Sequence, residues 1–215
     1  MAKKKSVKNT LIVLVILAAY FIFKGEDSEP RAPISELSIP ETVDGSYEVL
    51  KNCRLVKNSR NDGDSFFVKH TKGETEFRLY YVDAPESAYK EYRNGENNGE
   101  RLDDQAAYFG TQRERAIEVG IEAKDLTHYL LDGGAFKVLT KWENVYGPER
   151  KYAFIVVKEA GREVYLHEVL VQNGLGRIHT KPAPLPSGVS SQVQLKKLRD
   201  LERRAKEQQL GAWAQ

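Results

Sequence analysis

Strand-like segments come in two groups along this chain, three before a long helical stretch and two after it, and few folds accept that order. Residues 47–57 alternate loosely, Ser65–His70 is short and apolar, and 76–82 is rich in aromatic and β-branched side chains, with Lys72-Gly73 as the intervening turn. Residues 112–131 then read as a helix, because Ala116, Val119, Ala123, Leu126 and Leu130 recur at three- and four-residue spacing. Asp132-Gly133-Gly134 ends it. Strands follow at 135–142 and 151–158, then a turn at Ala160-Gly161 and a short strand. A helix near 166–173 stops at Gly174, residues 182–186 form a proline-rich loop, and a last helix over 193–210 stops at Gly211. Residues 87–105 are polar, carry Asn94-Gly95 and Asn97-Asn98-Gly99, and read as a long mobile loop. Five principal strands with about three helices, one of them between the third and fourth strands, fit a small Greek-key barrel of the OB type. Patterning alone also allows other α+β folds.

The N-terminus has a different character. Lysines at 3, 4, 5 and 8 lead into an apolar run over 11–23, too short for an ordinary membrane span and within the range of a signal sequence. No small-x-small cleavage site follows, and Asn9, Thr10 and Gly25 could lengthen a spanning helix. Residues 1–24 are therefore expected to be an uncleaved signal anchor, with the lysines inside and the domain outside the cytoplasm; a cleaved signal, and secretion, is the alternative. Residues 25–45 are acidic and carry Pro30, Pro33 and Pro40, the composition of a solvated tether. The folded domain is expected over 46–215.

Overall charge says little about partners. The net +2 divides into +5 over residues 1–24, −6 over 25–50 and +3 over the rest, so the alkaline balance owes much to the N-terminus. The one cysteine, Cys53, excludes an intramolecular disulfide and reads as a small core residue. No Cys/His pattern points to zinc.

The chemistry concentrates in Asp62-Gly63-Asp64-Ser65 and in Phe77-Arg78-Leu79-Tyr80-Tyr81-Val82-Asp83-Ala84-Pro85-Glu86. Asp64 and Asp83 offer hard oxygens suited to calcium or magnesium. An arginine fork suits a phosphate, and a glutamate on a loop can orient or deprotonate a water. Any one of these residues alone reads as a solvated surface group. Their grouping reads as a metal-assisted phosphodiesterase site.

This block resembles the thermonuclease family, the staphylococcal-nuclease-like domains, whose pattern is Asp-Gly-Asp-Thr, a strand, then Phe-Arg-Leu-x-x-Val-Asp-x-Pro-Glu. The resemblance recurs in order: Tyr146 to Ala153 is similar to the family's Tyr-Gly-Arg-x-x-Ala segment, and His167 to Gly176 to its Asn-x-x-Leu-Val-x-x-Gly-Leu-Ala helix and turn. A charged C-terminal helix closing on Leu210-Gly211-Ala212-Trp213 also fits, so the likeness spans about residues 46–213. It selects the OB-type barrel among the α+β folds.

The resemblance implies that Asp64 and Asp83 bind calcium, with Ala84 adding a backbone carbonyl and Asp62 a nearby supporting acid. It implies that Arg78 and Arg150 grip the scissile phosphate and that Glu86 is the general base. Two residues, Pro148-Glu149, are inserted before Arg150, which leaves Lys151 as an alternative to it. Tyr146 is expected either to stack on a nucleotide or to pack locally. His167 stands where the family has a structural Asn and reads as packing or capping. The tyrosines that the family carries after its Gly-Leu-Ala turn are absent; Ile178-His179-Thr180 stands there, with His179 a weak substitute. The basic residues of the last helix are interleaved with acids and read as a solvated face. Taken together these features imply a monomeric calcium-dependent endonuclease acting on DNA and RNA with little sequence specificity. The rival is a catalytically silent nucleic-acid-binding barrel tethered at the membrane.

Overall fold

Along Ser65–His70 the side chains of Phe66, Val68 and His70 are buried while Lys69 is exposed, the alternation that lets a strand present one face to a core. The computed structural model describes residues 45–214 together with Ser35, Leu37, Ser38 and Pro40. The anchor expected over 1–24 and nearly all of the tether over 25–45 lie outside the described residues. Among the described residues, no helix is long and apolar enough to cross a membrane.

Five strands close into a barrel. β1 (Glu48–Leu55) pairs antiparallel with β2 (Ser65–His70), and β2 with β3 (Gly73–Leu79). On its other edge β1 pairs antiparallel with β5 (Phe136–Thr140), which pairs with β6 (Arg150–Glu159). A parallel pairing of β3 with the start of β6, Glu76 opposite Arg150 and Arg78 opposite Tyr152, completes the ring. β1 bends through a bulge between Leu50 and Cys53, where Asn52 takes a left-handed φ of 57°. A short strand, β7 (Arg162–Tyr165), folds back on the far end of β6.

Phe66, Phe77, Leu79, Val138 and Ile155 fill the barrel, while Phe154, on the opposite face of its strand from Ile155, packs against the rings of Tyr80, Tyr165 and His167; all six are fully buried. Burying each such side chain contributes about 1.5–3 kcal/mol relative to leaving it in water. Cys53 lies in this core, where burial pushes its thiol up to about 11, so it is an inert core residue as expected.

The third strand is not continuous to Val82. It stops at Leu79; Tyr81 turns the chain with φ 68°, and β4 (Val82–Asp83) pairs instead with β8 (Arg177–Ile178), placing Asp83 opposite Arg177. The Tyr81 amide donates to the Lys181 carbonyl, and the Tyr81 carbonyl accepts from the amides of His179 and Thr180. These tertiary bonds hold a conformation that a bulky residue would otherwise avoid.

Four helices are present among the described residues, one more than expected. The additional one is α1 (Gly99–Phe109), inside the stretch expected to be loop. Its sequence is polar on most of its circumference, which hid it. Leu102, Gln105, Ala106 and Phe109 nevertheless recur at three- and four-residue spacing and are buried, and Gly110 ends the helix in a left-handed cap. The five apolar positions expected of the long helix are all buried in α2 (Arg113–Asp132). α3 (Leu166–Gln172) and α4 (Ser191–Glu207) follow, the latter capped by the Ser190 hydroxyl accepting from the Val193 amide. The fold is thus α+β, a five-stranded OB-type barrel with helices against it.

Candidate active site

The antiparallel register of β2 and β3 sets Arg78 opposite Ser65, next in sequence to Asp64. The loop carrying Asp64 is pressed flat. A side chain at Gly63 would stand 2.9 Å from the β-carbons of both Ala84 and Ala123, so only glycine lets Asp62 and Asp64 flank that contact. The Thr127 hydroxyl fixes the loop from α2 by donating to the Gly63 carbonyl at 2.8 Å.

Arg78 bridges the two expected metal carboxylates. Its Nη1 donates to Asp64 Oδ1 and Ser65 Oγ, both at 3.1 Å, and its Nη2 donates to Asp83 Oδ1. Asp64 Oδ2 accepts the Ala84 amide at 2.7 Å. Asp83 is crowded with donors: Arg101 Nη2 at 2.8 Å on Oδ1, then Arg177 Nε at 2.7 Å and Gln105 Nε2 at 3.0 Å on Oδ2. Glu86 stands just beyond. Its Oε1 meets Arg101 Nη1 at 3.0 Å, its Oε2 meets Asn98 Nδ2 at 3.4 Å and Lys90 Nζ at 3.5 Å, and its backbone amide donates to Gln105 Oε1 at 3.0 Å.

Electrostatics separates the carboxylates. Burial works against ionisation of Asp83, but Arg78 and Arg101, with Gln105 and Arg177, outweigh it and hold the carboxyl well below the usual range. Burial pushes Asp64 up despite Arg78, and the charge on Asp83 adds to the push. Asp62 is raised to about 6 by burial and by the charges of Asp64 and Glu86. Asp64 is therefore the less readily ionised of the two carboxylates that flank Arg78.

Among the described residues, no group of three or more His, Cys, Asp and Glu side chains is arranged to hold an ion. Two carboxylates and a carbonyl do converge: Asp64 and Asp83 flank one guanidinium, and Gln105 Nε2 touches both Asp83 Oδ2 and the Ala84 carbonyl, the latter at 3.2 Å. Hard oxygens that already hold one cationic group between them suit a calcium ion. Asp64, Asp83 and Ala84 would hold it.

Arg150 takes a different partner. Its Nε pairs with Glu76 Oε1 at 2.8 Å, following the Glu76–Arg150 register of the closing strands. It still faces the same cleft of about 500 Å³ as Arg78, Asp83, Arg101, Tyr146, Arg177 and His179. Lys151, the alternative, donates to Asn144 and does not line that cleft. Tyr146 is fully exposed at the rim with φ 36°, so its ring is not buried against the barrel. His167 is buried, its ring 5.6 Å from that of Tyr81, and burial lowers it to about 4, so it is a neutral packing residue.

Sequence reasoning missed Arg101, Gln105 and Arg177. Arg101 and Gln105 are four apart and share one face of α1, a signal that becomes readable only once the helix is recognised. Nothing local marks Arg177, whose place comes from strand pairing.

Gly120 of α2 carries a prediction. A β-carbon there would lie 2.5 Å from the Glu86 carbonyl oxygen and 2.6 Å from that of Pro85, so the helix backbone abuts the loop bearing Glu86. Gly to Ala in a helix ordinarily stabilises by about 1 kcal/mol. Gly120→Ala is expected to do the opposite, destabilising by about 1–3 kcal/mol through overpacking against backbone. Thermal melting checks the sign.

The profile of the family described as staphylococcal nuclease homologue matches residues 76–215. No curated protein matches the chain. The matched stretch includes Arg78, Asp83, Glu86 and Arg150, while Asp64 lies before it.

Proposed function

Because the chain belongs to the staphylococcal nuclease homologues, we propose that it is a calcium-dependent endonuclease hydrolysing DNA and RNA with little sequence specificity. One observation carries the reading: Arg78, which lines a cleft together with Asp83, bonds both Asp83 and Asp64, with Glu86 one side chain away on the Arg101 fork.

Asp64, Asp83 and the Ala84 carbonyl would hold calcium, which would supply positive charge for the scissile phosphate. Arg78 and Arg150 bind the remaining oxygens of the scissile phosphate and stabilise the charge that builds as phosphorus becomes five-coordinate. Glu86 orients the attacking water and accepts its proton as the new phosphorus–oxygen bond forms and the ester bond on the opposite side breaks. Tyr146 offers a face on which a base can stack. Every one of these contacts is to phosphate, water or a base plane, which is why little sequence preference is expected.

The lysine-led apolar run over 11–23 supports a position outside the cytoplasm, anchored in the membrane or released from it. The chain is expected to act as a monomer.

The test is cleavage of single-stranded DNA and of RNA by the full chain with calcium, with magnesium and with chelator. Calcium-dependent cleavage abolished by chelator is expected. A folded protein that binds nucleic acid but cuts it with no cation would leave the silent binding barrel in its place.

A further inference from the structure

Asp83 has more donors than a calcium ligand can keep. Two arginines share its Oδ1, and an arginine and an amide share its Oδ2. A lone pair aimed at an N–H is not available to a dication, so at least one donor has to leave when calcium enters. Arg78 is committed to Asp64 and Ser65 as well, and its side chain is only 10% exposed. Arg177 is 7% exposed and fixed opposite Asp83 by strand register. Gln105 is buried and also holds the Ala84 carbonyl and the Glu86 amide. Arg101 differs from all three. Its side chain is 42% exposed, sits in the first turn of α1, and lines the cleft.

The Arg101 guanidinium also spans two functions at once. Nη2 bonds Asp83 at 2.8 Å while Nη1 meets Glu86 at 3.0 Å, so one fork covers a proposed calcium ligand and the proposed base together. With the fork in place, neither group is free to work.

We propose that Arg101 is a latch, closed on Asp83 and Glu86 in the free protein, which a divalent cation displaces and which then closes on the substrate phosphate as a third arginine. The proposal rests on the nuclease reading of the same site. Charge pairing is kept throughout: the guanidinium gives up two carboxylates and gains anionic phosphate oxygens, for which its planar fork is equally suited. The helix need not move. Leu102, Ala106 and Phe109 are buried and hold α1 in place, while a long, half-exposed stem lets the charged head swing.

The test uses the full chain and the variants Arg101→Ala and Arg101→Lys. Calcium binding without nucleic acid is measured by calorimetry, and cleavage of single-stranded DNA is measured at saturating calcium. Arg101→Ala is expected to bind calcium about tenfold more tightly, since a charge-assisted competitor has gone. Its kcat is expected to fall about a hundredfold, since a donor to the developing charge has gone too. Arg101→Lys, which keeps the charge and loses the fork, should lie between in both. A residue that only supported the fold would weaken both quantities together; opposite movement is the signature of the latch. Unchanged or weaker calcium binding by a folded Arg101→Ala protein overturns the proposal, as does a wild-type chain that binds no calcium. A wild type that binds calcium but cuts nothing sinks the nuclease reading instead, and the calorimetry still decides whether the cation displaces Arg101.

Discussion

Arg78→Ala is expected to cut cleavage by about 10²–10³-fold and to cost about 3–5 kcal/mol of stability. The two losses have one origin. Arg78 is the guanidinium that bonds Asp64, and it sits between Asp64 and Asp83 with almost no contact with solvent. Without it, Asp64 stays buried with the Ala84 amide and the Ser65 hydroxyl as its donors, while the neighbouring charge on Asp83 persists because Arg101 and Arg177 still neutralise it. A buried carboxylate that loses its counter-charge is among the costlier defects a single substitution can make. Calcium should partly repair it, since a dication between the two carboxylates replaces the missing charge. The check is melting of wild type and variant with and without calcium: the ion should raise the variant's transition more than the wild type's. An Arg78→Ala protein that melts like wild type and responds no more strongly to calcium would remove Arg78 from both roles.

Glu86→Gln is expected to lower kcat by about 10²–10⁴-fold while leaving the melting temperature near that of wild type. Glutamine keeps the shape of the side chain, its one carbonyl oxygen can still accept from Arg101, and the backbone amide of residue 86 keeps its bond to Gln105. It cannot take a proton from water. Stability and activity therefore separate in this variant, unlike in Arg78→Ala. Single-turnover cleavage at saturating calcium is the measurement, and a rate within a few-fold of wild type would mean that another group accepts the proton.

The residues assigned to chemistry here were legible because most of them lie in two adjacent stretches, where strand alternation and a proline turn fix their relative places. Asp64, Arg78 and Asp83 meet as the spacing implies. What escaped reading was set by tertiary contacts. The run Tyr80-Tyr81-Val82 looks like unbroken strand, since aromatic and β-branched residues favour extended backbone. The turn at Tyr81 exists only because the returning segment at 179–181 bonds its amide and carbonyl. α1 carries so few apolar residues that its stripe is lost among acids, asparagines and glycines. Arg177 reaches Asp83 through pairing between segments far apart in sequence, which no local pattern announces. The insertion before Arg150 left Lys151 as an alternative to it, and barrel register puts Arg150 opposite Glu76 and beside the cleft.

The parallel pairing that closes the barrel also governs when the site comes into being. β1, β2 and β3 are neighbours along the chain and can meet early, whereas β3 must wait for β6, and contacts so distant in sequence form slowly. Until they meet, Arg150 has no fixed place beside the cleft, and Arg177, later still in the sequence, has not reached Asp83. During synthesis, β3 emerges from the ribosome well before either arginine, because chains are made from the N-terminus at about 5–20 residues per second. A nascent or half-folded chain thus holds the carboxylates and Arg78 without Arg150 and Arg177 in place. Under the proposed nuclease activity, such a chain would lack two of the site's cations for as long as it is still being made.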